Sequence, residues 1–449
     1  VNVAQAILVS VVLAPGVAFA VLAASWMIGW SPSERVVSSV TGLTFFGCSL
    51  GVAALAWTIL APHGPASVVV TFGSWFAVGA YHFPLVLIAD RLSLPFLALA
   101  AVLSGLIGQF SATYLHREPG FLRFFLLLHL FAFGSLLAFA CGSFDLLAAG
   151  WEIVGITSVL LIAFFQRRPA PVENGLRVFG IYRACDIGLF VAIFAMHHWA
   201  GTASFDHGVP MLGGRRAVIV CLLLLLAAAG KAAQVPFSGW LPRAMEGPTP
   251  SSAIFYGAIS IHAGAYLLLR AQPLLATSHF ASGLVVLTGA ATAIHGTLVG
   301  RASADAKTSL AYATLTQVGI VFIEIGLGWK WLAVVHIMGN ATVRTMQYLR
   351  APSMLHDYHQ MHSAIGSEIA PTGTQMEELL PEGLQLWLYR WAFDRGHLDT
   401  ILDRGVITAL LRASAYLAKG DHIGTASRTM RPRNVAPISL HGRAGQGCD

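Results

Sequence analysis

The sequence predicts an all-α protein threaded through a membrane about eleven times. Three observations carry that prediction: charge is scarce, apolar residues run in blocks of bilayer length, and glycine, proline and basic residues punctuate the blocks. Only 11% of residues are charged against 56% hydrophobic, and the mean hydropathy is +0.69. A soluble domain carries about 25% charged residues, so this chain lacks the polar surface that water demands. Spanning a bilayer takes about 20 apolar residues in a helix. Blocks of that size fall near 5–29, 36–61, 92–115, 122–141, 144–165, 174–199, 216–234, 249–270, 280–300, 309–327 and 329–349.

The first block has neither a basic leader nor a small-residue cleavage site and reads as a span rather than a signal peptide. Between the second and third blocks, SVVVTFGSWFAVGAYHFPLVLIAD is β-branched, aromatic and broken by glycine. It predicts a small extramembrane β-hairpin. The seventh block is interrupted: Pro236 follows Lys231 by five residues and predicts a broken helix. Basic residues gather in alternate loops, at Arg35, Arg117 and Arg123, Arg167, Arg168 and Arg177, Arg243, and Arg301 and Lys307. The positive-inside rule makes that side cytoplasmic. It places the N-terminus outside and the C-terminus inside a bacterial inner membrane. Past Ala351 the composition turns polar. MEELLPEGLQLWLYRWAF and LDTILDRGVITALLRASAYLAKG carry apolar residues at helical spacing without being apolar all round. They predict amphipathic cytoplasmic helices that lie on lipid or dock a partner. Three regions result: a two-helix segment with hairpin over 1–90, a transmembrane domain over 91–351 and a docking tail over 352–449.

Composition also excludes. The five cysteines are scattered without a CxxC pair, which argues against a disulfide framework, an iron–sulfur cluster or a cysteine zinc site. No GxGxxG or Walker loop occurs, so no cofactor is expected in this chain. The net charge of +6 is spread over loops and marks no nucleic-acid surface.

Ionisable groups at membrane depth are costly and are functional candidates by default. Glu152 lies two turns into the fifth block, in GWEIVG. Arg183 and Asp186 in the sixth are three residues apart and can pair on one helix face, either as a structural ion pair or as part of an ion path. Lys231 follows an almost wholly apolar run and precedes the break at Pro236. A buried lysine beside a broken helix is what an ion path needs. Histidine as a residue type titrates near neutrality, so His262 and His336 suit proton relay, or packing. Lys307 opens the tenth block as a relay station or a snorkelling terminus, and Glu324 near its other end is expected at headgroup level. HDYHQMH, with His356, His359 and His362, hints at metal but lacks a companion set of ligands.

These segments resemble a known family. GKAAQVPFSGWLPRAMEGPTPSSA, preceded by GWEIVG and followed by DAKTSLAYATLTQVG, is similar to the proton-conducting antiporter-like subunits of respiratory complex I, subunit L above all, and of Mrp cation/proton antiporters. The resemblance covers about Asp90 to Ala351. It implies that Glu152 and Lys231 form the family's glutamate–lysine pair, that Arg183 and Asp186 are its RxxD, and that Lys307 and His336 line the same path. Departures accompany it. Tyr256 stands where the family has a histidine, with His262 six residues on, and Asn340 and Arg344 replace a second histidine and a lysine. The family's second broken helix and lateral helix have no match in this sequence, so the resemblance does not extend to a complete two-sided channel of the complex I kind. SSAIFYGAISIHAGAYLLLR, LRAPSMLHDYHQMH and LYRWAFDRGHLDTILDR resemble the membrane subunit of the DAB complexes, which accumulate dissolved inorganic carbon. That likeness implies a soluble zinc partner resembling a β-carbonic anhydrase on the cytoplasmic face, and proton (or Na⁺) influx driving CO2 to bicarbonate there. The other readings are a proton-pumping subunit of a complex I-type or Mrp-type assembly, and a membrane anchor with a vestigial path.

Overall fold

The computed structural model describes residues 2–78, 81–205, 212–303, 305–365 and 381–402, of which 352–365 and 401 are described by backbone alone. The chain divides into two compact units, 1–398 and 399–449, and the elements below belong to the first. In chain order they are α1 (Val3–Met27), α2 (Glu34–Leu60), β1 (Ser67–Val78), β2 (Tyr81–Asp90), α3 (Ser93–Tyr114), α4 (Phe121–Phe139), α5 (Phe144–Ile162), α6 (Pro169–Ala200), α7 (Gly214–Lys231), α8 (Thr249–Arg270), α9 (His279–Arg301), α10 (Ala306–Gly326), α11 (Lys330–Ile365) and α12 (Glu382–Phe393).

Among the described residues, nine of these helices are long and apolar enough to cross a membrane. Two of the eleven expected spans fall outside that set. Helix α7 holds Arg215, Arg216 and Lys231 within 18 residues, and α11 runs on for 36 residues into polar sequence. The histidines of HDYHQMH sit on that extension, but their side chains, and the segment beyond 402, lie outside the described residues.

Helix α8 is the axis of the bundle and is buried along its whole length, while α1 and α2 expose most of their surface to the surround. Close packing replaces the hydrophobic effect as the adhesive between helices in lipid, which favours small residues at contacts. Gly289 on α9 and Gly319 on α10 face each other so closely that a Cβ on either would strike the other's carbonyl.

The β-hairpin forms as the sequence predicts, antiparallel with Ser67 opposite Asp90, and with irregular register between Thr71 and Phe76. It is stitched to the bundle. The Ile88 amide donates to the Ala140 carbonyl (2.7 Å) and the Gly142 amide to the Val86 carbonyl (2.9 Å). Asp90 at its end caps α3 by accepting from the Leu92 and Ser93 amides (3.0 and 2.7 Å). Arg270 at the end of α8 grips the same carboxylate with two nitrogens (2.5 and 3.1 Å), donates to the Tyr266 hydroxyl (2.9 Å) and lies over the Phe205 ring. Burial pushes the Asp90 carboxyl up, but the Arg270 charge and the bonds from Arg270 and Ser93 outweigh it and hold the group below the ordinary carboxylate range.

Candidate functional site

Helix α7 ends at Lys231, earlier than the sequence suggests and five residues before the Pro236 that marks the break. The reason is local. Proline disfavours α geometry in the residue before it, and Ala233 turns left-handed at φ 51°. Short turns over Phe237–Glu246 follow. The freed backbone groups are met inside the protein. The Trp240 indole donates to the Gly230 carbonyl (3.0 Å), the Gln234 amide to the Ala229 carbonyl (2.8 Å) and the Val235 amide to the Thr292 hydroxyl (3.0 Å). Such a break is tolerated at membrane depth only where protein or water covers it. Lys231, 1% exposed, thus sits at a helix C-terminus, where the aligned peptide dipoles favour a cation.

The expected Glu152–Lys231 pair is corrected by the geometry. Glu152 ion-pairs with Arg183, and the Arg183 Nη2 reaches Asp186 at 2.8 Å, so one guanidinium joins two carboxylates. Lys231 donates instead to the Trp151 carbonyl (3.0 Å) and lies 4.8 and 4.6 Å from the ring centres of Trp151 and Tyr182. The longer, forked arginine reaches the carboxylates, and the lysine settles among ring faces. Trp151 ties the two halves together, since its indole donates to the other oxygen of Asp186 (2.6 Å). Room for both cations comes from Gly155, where a Cβ would lie 3.0 Å from Lys231 Nζ and 3.5 Å from Arg183 Nη2. Sequence reasoning assigns no role to Trp151, Tyr182 or Gly155, of which the first and last are marked only as flanking Glu152. The first stands in the GWE triplet itself, and the helical step from Glu152 to Gly155 marks the third.

The remaining candidates form separate groups. His262 is buried on α8 just past a π-helical segment, Ala253–Ala258. Its Nδ1 lies 2.6 Å from the Ala258 carbonyl and its Nε2 lies 3.2 Å from the Asn340 amide nitrogen. The proton therefore belongs on Nδ1. His336 contacts Glu324 (2.9 Å) and Gln317 (2.8 Å) through its two nitrogens. Glu324 is 7% exposed, a buried partner of that histidine near the end of α10. Lys307 donates to the Thr249 hydroxyl (3.1 Å), which Tyr114 also meets (3.2 Å), at the end of the bundle away from the hairpin. Buried hydroxyls at Tyr256 and Ser252 on α8 have no protein hydrogen-bond partner, and the Tyr182 hydroxyl on α6 meets that of Ser260. Among the described residues no three histidines, cysteines or acids gather as a metal site.

Comparison with known proteins matches this arrangement to one family. Residues 143–368, half of the chain, match the family described as NADH:quinone oxidoreductase/Mrp antiporter, TM, and residues 75–125 match the N-terminus of NADH-ubiquinone oxidoreductase (complex I) chain 5. The chain is 34% identical over 292 residues to NADH-quinone oxidoreductase subunit L of Mycobacterium tuberculosis, covering 64% of this chain and 46% of that one. It is 30% identical over 334 residues to NAD(P)H-quinone oxidoreductase chain 5 of Synechocystis, covering 72% and 48%. The chain thus spans about half the length of the curated relatives it matches. Among solved structures, the Mrp complex from Dietzia superposes with TM-score 0.64 at 26% identity, over 75% of this chain and 37% of that one. An archaeal membrane-bound sulfane sulfur reductase shares the fold alone, with TM-score 0.66 at 19% identity over 77% and 70%. The site described above lies within the matched segments, and the chain belongs to the NADH:quinone oxidoreductase/Mrp antiporter transmembrane family.

Proposed function

We propose that this chain is the ion-translocating membrane subunit of a multisubunit complex, and that it passes protons through Lys231 under the control of Glu152, Arg183 and Asp186. The observation that carries this reading is the placement of Lys231. It is a buried ammonium at a helix break, held by a carbonyl and two ring faces, while the neighbouring carboxylates are engaged by Arg183. Two unit charges 4 Å apart interact by about 4 kcal/mol at an effective dielectric of 20. A carboxylate that leaves Arg183 for Lys231 therefore strengthens the ammonium's hold on its proton, and its return weakens it. His262, Lys307 and His336 continue the path, with the unpartnered hydroxyls marking where water completes it. No bond other than O–H and N–H changes, so catalysis, where it occurs, belongs to a partner. The Glu152 and Arg183 side chains are 29% and 35% exposed on the flank of the chain. A mid-membrane charge pair facing lipid is costly, which supports a second membrane subunit covering that flank.

The test is ion flux in proteoliposomes containing the complex purified with this chain. Wild type is expected to dissipate an imposed pH gradient and Lys231→Ala to lose that ability while the complex still assembles. Equal flux in both ends the proposal. Sodium in place of the proton gradient distinguishes the two ions.

A finer reading assigns the flux to inorganic carbon accumulation by a soluble zinc partner similar to a β-carbonic anhydrase. It is favoured by the two departures from the wider pattern that meet in space: His262, displaced from the position of Tyr256, bonds Asn340, itself a replacement. The tail sequence supports the same lineage. In this reading the C-terminal tail lies in the cytoplasm and docks the partner. Copurification decides it: a zinc-containing soluble polypeptide supports it, and a set of quinone-oxidoreductase subunits supports the complex I-type alternative.

A further inference from the structure

A second buried titratable pair lies near the hairpin. Asp145 opens α5 and His197 closes α6, and His197 Nε2 meets Asp145 Oδ1 at 2.9 Å. Their side chains are 11% and 2% exposed. The Phe83 ring of the hairpin covers the imidazole at 4.7 Å between centres, with Tyr81 at 6.1 Å. What separates this pair from an ordinary structural contact is its other half. Asp145 Oδ2 and His197 Nδ1 are both buried without a hydrogen-bond partner, and so is Glu152 Oε1. A structural pair retained in a core is expected to satisfy its second atoms as well.

Helix geometry puts these three orphan atoms on one seam. Asp145 and Glu152 are seven residues apart, about 20° short of two turns and about 10 Å along the axis. Asp186 and His197 are eleven apart, about 20° past three turns. The helix surface between Asp145 and Glu152 is made by Ala148 and Ala149.

We propose that Asp145 and His197 form the hairpin-side port of the proton path, exchanging protons with Glu152 along α5 beneath Phe83. This rests on the translocation reading given above. With a proton on Nε2, the neutral imidazole donates to Asp145 and leaves the Nδ1 lone pair open. A proton from the hairpin side binds Nδ1, the Nε2 proton passes to Asp145 Oδ1, the carboxyl turns to bring that proton to the Oδ2 side, and the acid gives it through water toward Glu152 Oε1. One proton enters and one leaves; the imidazole is left with its proton on Nδ1, and the return of that proton to Nε2 through water resets the pair. The charged and titratable neighbours are His82 on the hairpin, exposed; His198 on α6, stacked on Phe194; and Arg216 on α7, over Trp199. Beyond Phe144 and Phe205 lies the Asp90–Arg270 pair. Asp206 and His207 lie outside the described residues.

The test varies pH on each membrane face separately and follows flux through the purified complex in vesicles. In wild type the flux is expected to bend with hairpin-side pH as one group titrates. In His197→Gln and Asp145→Asn that bend is lost and flux falls by about tenfold or more, the loss typical of one missing acid–base group, while the dependence on the opposite face is kept. Phe83→Ala, on the extramembrane hairpin, keeps the bend and raises flux at low hairpin-side pH. If Lys231→Ala abolishes flux but all three variants keep the wild-type profile on both faces, the port is overturned and the translocation reading stands. If Lys231→Ala itself conducts like wild type, the translocation reading falls and the port with it. If the Asp145 and His197 variants do not assemble, Phe83→Ala decides alone, and an unchanged flux and profile overturn the port.

Discussion

The Asp90–Arg270 cluster at the hairpin and the Glu152–Arg183–Asp186–Lys231 cluster at mid-helix are both built from opposite charges, yet they are built to different ends. In the first, one carboxylate meets one guanidinium through two bonds, and the remaining lone pairs take backbone amides. In the second, two carboxylates share one guanidinium, an ammonium rests on a carbonyl and ring faces, and Glu152 Oε1 and Arg183 Nε have no partner. Burial alone therefore does not separate a structural charge from a working one. What separates them is how completely each group is satisfied, because an under-satisfied group has somewhere else to go.

The largest expected effect breaks the comparison from the mid-helix side. Lys231→Ala should lower ion flux by about 100-fold or more, the range for losing a positioned proton carrier, while Arg270→Lys stays within about twofold of wild type. Flux in the same vesicle preparation checks both, and a larger loss for Arg270→Lys erases the distinction. Asp186→Asn comes next. It leaves Arg183 and the Trp151 indole short of an acceptor, and is expected to reduce flux or membrane level more than Glu324→Gln does. Gly155→Ala sharpens the point with a single methyl. A Cβ there meets Lys231 Nζ at 3.0 Å, so the ammonium must shift, and flux should fall by about tenfold, equivalent to about 1.4 kcal/mol.

Asp90→Asn reverses the pattern. Removing one partner of a buried pair costs about 3 kcal/mol, so the melting temperature should drop while flux in the folded fraction holds. Its pH dependence has a fixed sign. The folded carboxyl is held below its ordinary value, so the stabilisation is present above about pH 4, the ordinary range for aspartate. It is lost as pH falls through the lowered folded value. Acid unfolding of Asp90→Asn should therefore show a shallower slope than wild type over that window.

The sequence carried the spans and the hairpin plainly, since both depend on block length and residue type. It also named the charged members of the site. It did not show who pairs with whom. Arg183 outcompetes Lys231 for Glu152 because α6 brings a longer forked side chain to the α5 face, a matter of reach between helices that no spacing within one helix reports. The early stop of α7 was half legible. Pro236 announced a break, but the left-handed turn at Ala233 and the Trp240 cap on Gly230 depend on residues folded back from further along. The pairing of Glu324 was hidden for a similar reason: its partner His336 sits on the next helix.

The π segment of α8 has a consequence of its own. Six residues from Ala253 to Ala258 follow the wider spiral, with the Ile259 amide reaching back five residues to the Ile254 carbonyl (2.9 Å). A π turn winds one residue more into nearly the same rise than an α turn does. Everything beyond it is rotated by about 100° relative to an unbroken α-helix. The inserted residue therefore sets an azimuth: it decides that His262, rather than a neighbour, faces Asn340. The far end of the helix is pinned by Arg270 on Asp90. Straightening the segment into an α spiral with every residue kept would turn each side chain from Ser260 to Arg270 away from its partner, whereas excising one residue between Ala253 and Ala258 would remove the wide turn and leave those side chains facing as they do now.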